Sequence, residues 1–346
     1  MPTWGEIIDQ FNEPENSLAN GRPDCDKIRR SYLAALYTLT GRPVIAYCTA
    51  FLERDLPGSL VSITLGDVQG FMNAIADVPG PNLDLILTSP GGTAEATESI
   101  VSYLRTRFDN IRVFVPVAAM SAATMLALGA DEIVMGAHSQ LGPIDPQFNI
   151  NTPDGPRSAP GQAILEQFEQ AKKDCSDAKN IGAWMPILRS YLPGLLAVCR
   201  DQRDLAKRMV AEWLQRYMLR GDPDAPSKAT AAAEWFANYV YFGSHSRRVS
   251  LQDVLNLQLK AKALEDDPDL QDAVLSVHHS YSLTFSSTPA VKIIENHLGK
   301  AYVKIAGDFI QGAPVLAPAL PSLPASRPSQ APAPTRAERR RQNRGR

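Results

Sequence analysis

LDLILTSPGG, at Leu83 to Gly92, and FVPVAAMSAATMLALGADEI, at Phe114 to Ile133, are the two stretches on which the fold turns. In the first, the apolar run Leu83, Leu85, Ile86, Leu87 reads as a buried strand. It stops at Ser89-Pro90-Gly91-Gly92, and a helix opens at Thr93 or Ala94. Paired glycines allow backbone N–H groups to approach a ligand closely, with Gly91 supporting Gly92. In the second stretch, a strand over Val113, Phe114 and Val115 ends at Pro116, and small residues around Ser121 open another helix. A serine at a strand-to-helix junction, among alanines that leave room for a substrate, is placed as an exposed nucleophile. The competing reading is a small residue that lets helix and sheet pack. From Gly92 to Ser121 is 29 residues, close to the ~30 that a strand, a helix and a returning strand require. Two successive parallel strands would bring both turns to one sheet edge. There the amides of Gly92 and Ala122 can point at one oxygen, the geometry of an oxyanion hole.

Working outward, a helix is expected over residues 26–39, with Ile28, Tyr32, Ala35 and Leu39 on one face, ending at Thr40-Gly41-Arg42-Pro43. Residues 44–47 read as the first core strand, and Thr64-Leu65-Gly66-Asp67 offers a cap for a helix to about Ala76. A further helix over 94–107 places Ala96, Ile100 and Leu104 together. Alternating strands and helices predict an α/β fold with a mainly parallel sheet. From 163 to 241 the pattern is helical, with Leu205, Met209 and Trp213 spaced by four, and is long enough for a lid or an interface. Residues 222–226 read as a loop and Ser227 as the next helix cap. A shorter α/β passage follows Gly243 to about Ile310. The expected divisions are an N-terminal helical segment (1–42), a catalytic core (43–160), a helical and mixed section completing the domain (161–311) and a disordered tail (312–346).

The chain has 346 residues, 44% hydrophobic and 21% charged, enough for a sizeable core in one large or two small domains. A formal net charge of -2 gives no global reason to expect nucleic acid or an anionic membrane as partner. The proline-rich tail, which ends in RAERRRQNRGR, could touch RNA or an acidic partner weakly. Cys25, Cys48, Cys175 and Cys199 show neither CxxC nor zinc spacing and read as free thiols in a reducing compartment. The first residues lack an apolar stretch of the secretory kind, so a cytoplasmic location is expected. Residues 113–130 carry no charge and reach the length at which a membrane span must be considered. Pro116, Ser121 and Thr124 divide that run into a strand and a buried helix, so no stable membrane insertion is expected.

In this order, TSPGG, AMSAATM and ADEIVMGAHSQLGPIDPQ resemble the Clp protease and crotonase superfamily, and most closely the serine dehydrogenase proteinase family, which is related to the signal peptide peptidases. The resemblance runs from Pro43 to Gln147 and continues more weakly to about His297. It implies a Clp/crotonase-like core of repeated β/α units and a serine peptidase that cleaves peptides or proteins through an acyl-enzyme, with Ser121 as nucleophile. It also implies active sites enclosed by a homo-oligomer and chemistry that needs no cofactor and no metal.

The family's order of serine, aspartate and histidine can be met by Asp145 in LGPIDPQ and His245 in YFGSHSRRV, the histidine as general base and the aspartate orienting it. Each has a plainer reading, Asp145 as an Asp-Pro turn residue and His245 as a surface-loop histidine beside Arg247 and Arg248. The chain departs from the Clp protease pattern, since Gly142-Pro143-Ile144-Asp145-Pro146 stands where the histidine would fall. Signal peptide peptidases use a lysine base instead. Lys172 and Lys173, 51 and 52 residues after Ser121, are the alternatives, although EQFEQAKKDCSDAK reads as an exposed charged face. His138 in GAHSQLG is expected beside the site rather than in it, and His278-His279 lack ligand spacing. Two other functions use the same features: a noncatalytic scaffold that binds a peptide or partner, and an acyl-CoA thioester enzyme of the crotonase type.

Overall fold

The computed structural model describes residues 4–152 and 155–306. Strands β1 (Val44–Thr49), β2 (Asn82–Thr88) and β3 (Asn110–Val115) are buried at nearly every position rather than at every second one. A strand of that kind needs cover on both faces. Numbered along the chain, the remaining strands are β4 (Ala118–Ala119), β5 (Glu132–Met135), β6 (Gln140–Leu141), β7 (Gln147–Thr152), β8 (Gly155–Pro160), β9 (Ala261–Ala263), β10 (Ala290–Asn296) and β11 (Ala301–Ile305). A seven-stranded sheet runs β11-β10-β1-β2-β3-β5-β9. From β1 to β9 all neighbours are parallel, and β10 and β11 close the other edge as an antiparallel pair. The short pair β4 and β6 is parallel, and β7 with β8 is an antiparallel hairpin.

Helices cover both faces: α1 (Trp4–Asn12), α2 (Cys25–Thr40), α3 (Gly58–Val61), α4 (Asp67–Ile75), α5 (Ala94–Arg105), α6 (Ala122–Leu128), α7 (Gly161–Asp174), α8 (Ile181–Arg189), α9 (Leu195–Arg216), α10 (Ala225–Phe236), α11 (Tyr239–Phe242), α12 (Leu251–Asn256) and α13 (Pro268–Ser287). Because side chains alternate across a strand, Ile45, Tyr47, Leu85, Leu87, Val113 and Val115 enter one core. That core holds α4, α5 and α6, together with α9 and α10 of the helical section. Val44, Ala46, Cys48, Ile86 and Phe114 enter the other, against α2 and α13. The expected face of α5 is correct, with Ala96, Ile100 and Leu104 all buried.

Two expectations change, for α2 and for the cap of α10. On α2 the buried positions are Cys25, Ile28, Arg29, Leu33 and Leu36, whereas Leu39 is 48% exposed and Ala35 is exposed. The buried face contains an arginine whose guanidinium meets the buried Glu295 at 3.0 Å, so apolar periodicity misjudged its direction. The N-cap of α4 is Gly66, within the stretch expected to cap it, and the Asp67 carboxylate accepts from the Thr64 amide at 2.9 Å. Asp224, not Ser227, precedes α10. The uncharged run over 113–130 is divided at Pro116 into β3, β4 and α6, and among the described residues no helix is long and apolar enough to cross a membrane. The expected tail, residues 312–346, lies outside the described residues.

His278 on α13 gives the fold a pH dependence. Burial, then repulsion from His279 and His138, pushes its pKa down to about 3. The native protein therefore holds this ring neutral, while the unfolded chain protonates it near ~6.5. Unfolding takes up a proton between these values, so this contribution is complete above about pH 6.5 and is lost as the pH falls toward 3. Urea midpoints measured from pH 7 to pH 4 are expected to fall, and to fall less steeply in His278→Gln.

Candidate active site

The turn after β2 has no room for side chains. Gly91 has φ +98°, and a Cβ there would lie 2.5 Å from the Met120 carbonyl oxygen and 2.7 Å from Cβ of Ser121. A Cβ on Gly92 would lie 2.2 Å from the carbonyl oxygen of Ile63. These contacts arise because three extended segments run side by side. On one flank the Ile63 amide donates to Gly91 O at 2.7 Å and the Thr93 amide to Ile63 O at 3.2 Å. On the other flank the Ser89 amide donates to Ala118 O at 3.2 Å and the Met120 amide to Ser89 O at 3.0 Å. Thr93 then caps α5, its side chain accepting from the Ala96 amide.

Ser121 stands directly before α6 with φ +52° and ψ -120°. A non-glycine residue in such a region costs about 1–3 kcal/mol and persists only where its surroundings hold it. Here Ala122 to Leu128 are all buried behind it. Thr124 Oγ1 donates to Ala119 O at 2.8 Å and accepts from the Gly142 amide at 2.9 Å. One hydroxyl thus ties the serine's helix to the segment that carries Asp145.

Asp145 is 1% exposed, and both of its oxygens are engaged. Oδ1 lies 2.8 Å from His245 Nδ1, and Oδ2 accepts from Gln147 Nε2 at 2.7 Å. His245 follows α11 after Gly243, whose φ of +67° turns the chain. The loop is fastened beyond it, since Leu141 and Val249 exchange backbone hydrogen bonds at 3.0 and 2.9 Å. Arg248 donates to the carbonyls of Ser139 and Ala137, and Arg247 to those of Tyr241 and Phe242. With Nδ1 held by Asp145, the other ring nitrogen of His245 is left for the cleft.

Gly92, Ser121, Ala122 and His245 line one cleft of about 360 Å³. Met125, Ile144 and Phe148 give it apolar walls, and Val198, Gln202 and Ala206 on α9 form a further side. Lys172 and Lys173 are not among its lining. Lys172 is exposed and paired with Glu169 at 2.8 Å, and Lys173 borders a separate polar cavity of about 440 Å³ between α7 and α9. His138 is exposed and does not line the cleft either. Among the described residues there is no group of three or more histidine, cysteine, aspartate or glutamate side chains that could hold a metal. Sequence reading missed Gln147, Thr124, Ile63 and the α9 wall. Only Gln147 had a signal, as the last residue of LGPIDPQ.

The fold is α/β, with a mainly parallel sheet that carries the glycine turn and the strained serine at the ends of adjacent strands. Residues 60–184 match the model of the ClpP-like SDH-type serine proteinase family, the family that the sequence resembles. The match takes in Gly91, Gly92, Ser121, Ala122 and Asp145, stops before His245, and supports a peptidase. Two uncharacterized proteins of Methanocaldococcus jannaschii are each 34% identical, one over 34% of this chain and 39% of its own length, the other over 33% and 37%. The chain thus spans less than two fifths of these curated relatives. Two solved structures of the 1510-N membrane-bound stomatin-specific protease are similar. A serine-to-alanine mutant is 16% identical with a TM-score of 0.34, covering 61% of this chain and 79% of that one. A lysine-to-alanine mutant in complex with a substrate peptide is 18% identical with a TM-score of 0.35, covering 60% and 74%.

The packing of the glycine turn sets a test. Gly92→Ala drives a methyl group into the Ile63 backbone, and overpacking of this kind costs roughly 1–3 kcal/mol. The expected outcome is a lower urea midpoint together with loss of Ser121 reactivity toward a fluorophosphonate. Retention of both would mean that the turn can shift freely.

Proposed function

We propose that the protein is a serine peptidase that cleaves peptides through an acyl-enzyme. The observation that carries this reading is the 2.8 Å contact between Asp145 and His245 beside a strained Ser121 in one cleft. Ser121 Oγ attacks the scissile carbonyl while His245 Nε2 takes its proton, and Asp145 holds the imidazole in the needed tautomer and supports its charge. The carbonyl oxygen becomes an oxyanion held by the amides of Gly92 and Ala122, the latter one of the unpaired donors at the start of α6. His245 then protonates the departing amine as the carbon–nitrogen bond breaks, leaving the acyl group on Ser121. Water, deprotonated by the same histidine, attacks the ester and releases the acid.

A crotonase-type thioester reaction would use the same amides but gives no role to a histidine and aspartate pair beside the serine. A binding scaffold would need neither the strain at Ser121 nor the pair. A fluorophosphonate probe is expected to label the protein and to fail on Ser121→Ala. His245→Ala is expected to lower kcat/KM on peptide substrates by roughly 10³-fold or more, Asp145→Asn by a similar order, and Lys172→Ala with Lys173→Ala by less than about twofold. Absence of serine-dependent labelling overturns the peptidase. Loss of activity in the lysine variants, with His245→Ala unaffected, moves the base to a lysine.

A further inference from the structure

Behind the glycine turn lies a buried polar chain for which the reaction just described has no use. Lys292 on β10 is fully buried, and its Nζ donates to both carboxylate oxygens of Asp67 at 2.8 and 2.7 Å and to the Ser62 carbonyl at 2.7 Å. Asp67, 2% exposed, also accepts from the Tyr47 hydroxyl at 2.9 Å and from the Thr64 amide at 2.9 Å. Ser89 Oγ accepts from the Gly91 amide at 3.2 Å. Tyr47 and Ser89 are both fully buried.

Tyr47 and the Thr64 amide thus both donate to Asp67, where Lys292 supplies the balancing charge. Hydrogen bonds that share one buried acceptor in a low dielectric hold their donors firmly in place. Lys292 and Asp67 also grip Ser62 and Thr64, on either side of Ile63, whose amide and carbonyl hold Gly91 and Thr93. A single ion pair thus holds both flanks of the residue to which the turn is bonded.

A buried ion pair of this kind is a poor source of stability, since desolvating its members offsets most of their attraction. What it supplies well is a fixed geometry. We propose that Tyr47, Asp67 and Lys292 are positioning residues that set the place of the Gly91–Gly92 backbone, and so the aim of the Gly92 amide at the oxyanion. The inference rests on the peptidase reading for its catalytic consequence. Its structural half stands apart from that reading.

Tyr47→Phe removes one buried hydroxyl and leaves Lys292, Asp67 and the ring's packing in place, so it tests the chain without a charge defect. Removing an oxyanion donor outright costs about 10²–10³ in kcat, and a displaced donor is expected to cost about tenfold. Three results are expected: a tenfold slower fluorophosphonate labelling of Ser121, a matching fall in kcat with KM within about twofold, and faster amide exchange confined to residues 89–93. Asp67→Asn, which keeps the side chain's shape and removes its charge, is expected to reproduce these effects, and the double variant to be no worse than Asp67→Asn alone, since Tyr47 acts through Asp67. Unchanged labelling and exchange in Tyr47→Phe, or additive losses in the double variant, overturn the proposal. Should the wild-type protein neither label nor cleave, the peptidase reading fails. Exchange at Gly91 and Gly92 then still decides whether the network holds the turn.

Discussion

The rest of the structure depends on the close approach of the turn after β2 to the segment entering α6. Gly91 and Ser121 are so near that not even a methyl group fits between them. Everything that fixes β2 against β3 therefore also fixes the glycine amides against the serine. The parallel register from Asn82 opposite Asn110 to Ile86 opposite Phe114 is such a constraint, as are the bonds between Ser89, Ala118 and Met120. The site is a continuation of the sheet beyond its last regular strand pairs, and it inherits the sheet's rigidity.

Around this junction, three remote lengths of chain are drawn together by bonds that are mostly backbone to backbone or side chain to backbone. Thr124 joins the serine's helix to Gly142, the exchange between Leu141 and Val249 brings the His245 loop alongside, and the two arginines after His245 hold that loop by carbonyl oxygens. The arginines that made His245 look like a surface residue are what keep it in place. Their charges are spent on backbone acceptors and not on a ligand.

The core strands, the two turns and the face of α5 were legible in the sequence because each obeys a local rule: short clusters of apolar residues, paired glycines, helical periodicity. Asp145 and His245 could be named only through order and resemblance, since 100 residues separate them and no local pattern says that they meet. What was not legible shares one cause, long-range polar pairing within the core. Arg29 turned α2 away from its apolar stripe because Glu295, far along the chain, waits for it. Asp67 read as part of a helix cap because Lys292, its partner, lies on a strand 225 residues away. The α9 wall was likewise invisible, since the periodicity of Leu205, Met209 and Trp213 reports the face that packs inward and not the one bordering the cleft.

That wall has a consequence for how such a protein can change. Gly92, Ser121 and Ala122 sit within the length that matches the proteinase family, while Val198, Gln202 and Ala206 lie beyond it, on a helix that Met209, Val210 and Trp213 pack into the core. Substitutions at Val198 and Gln202 alter the shape of the cleft without touching the bonds among Asp145, His245 and Gln147. One wall of the cleft can thereby change while its floor stays fixed, because the two belong to separate elements, one continuing the sheet and one in the helix laid over it.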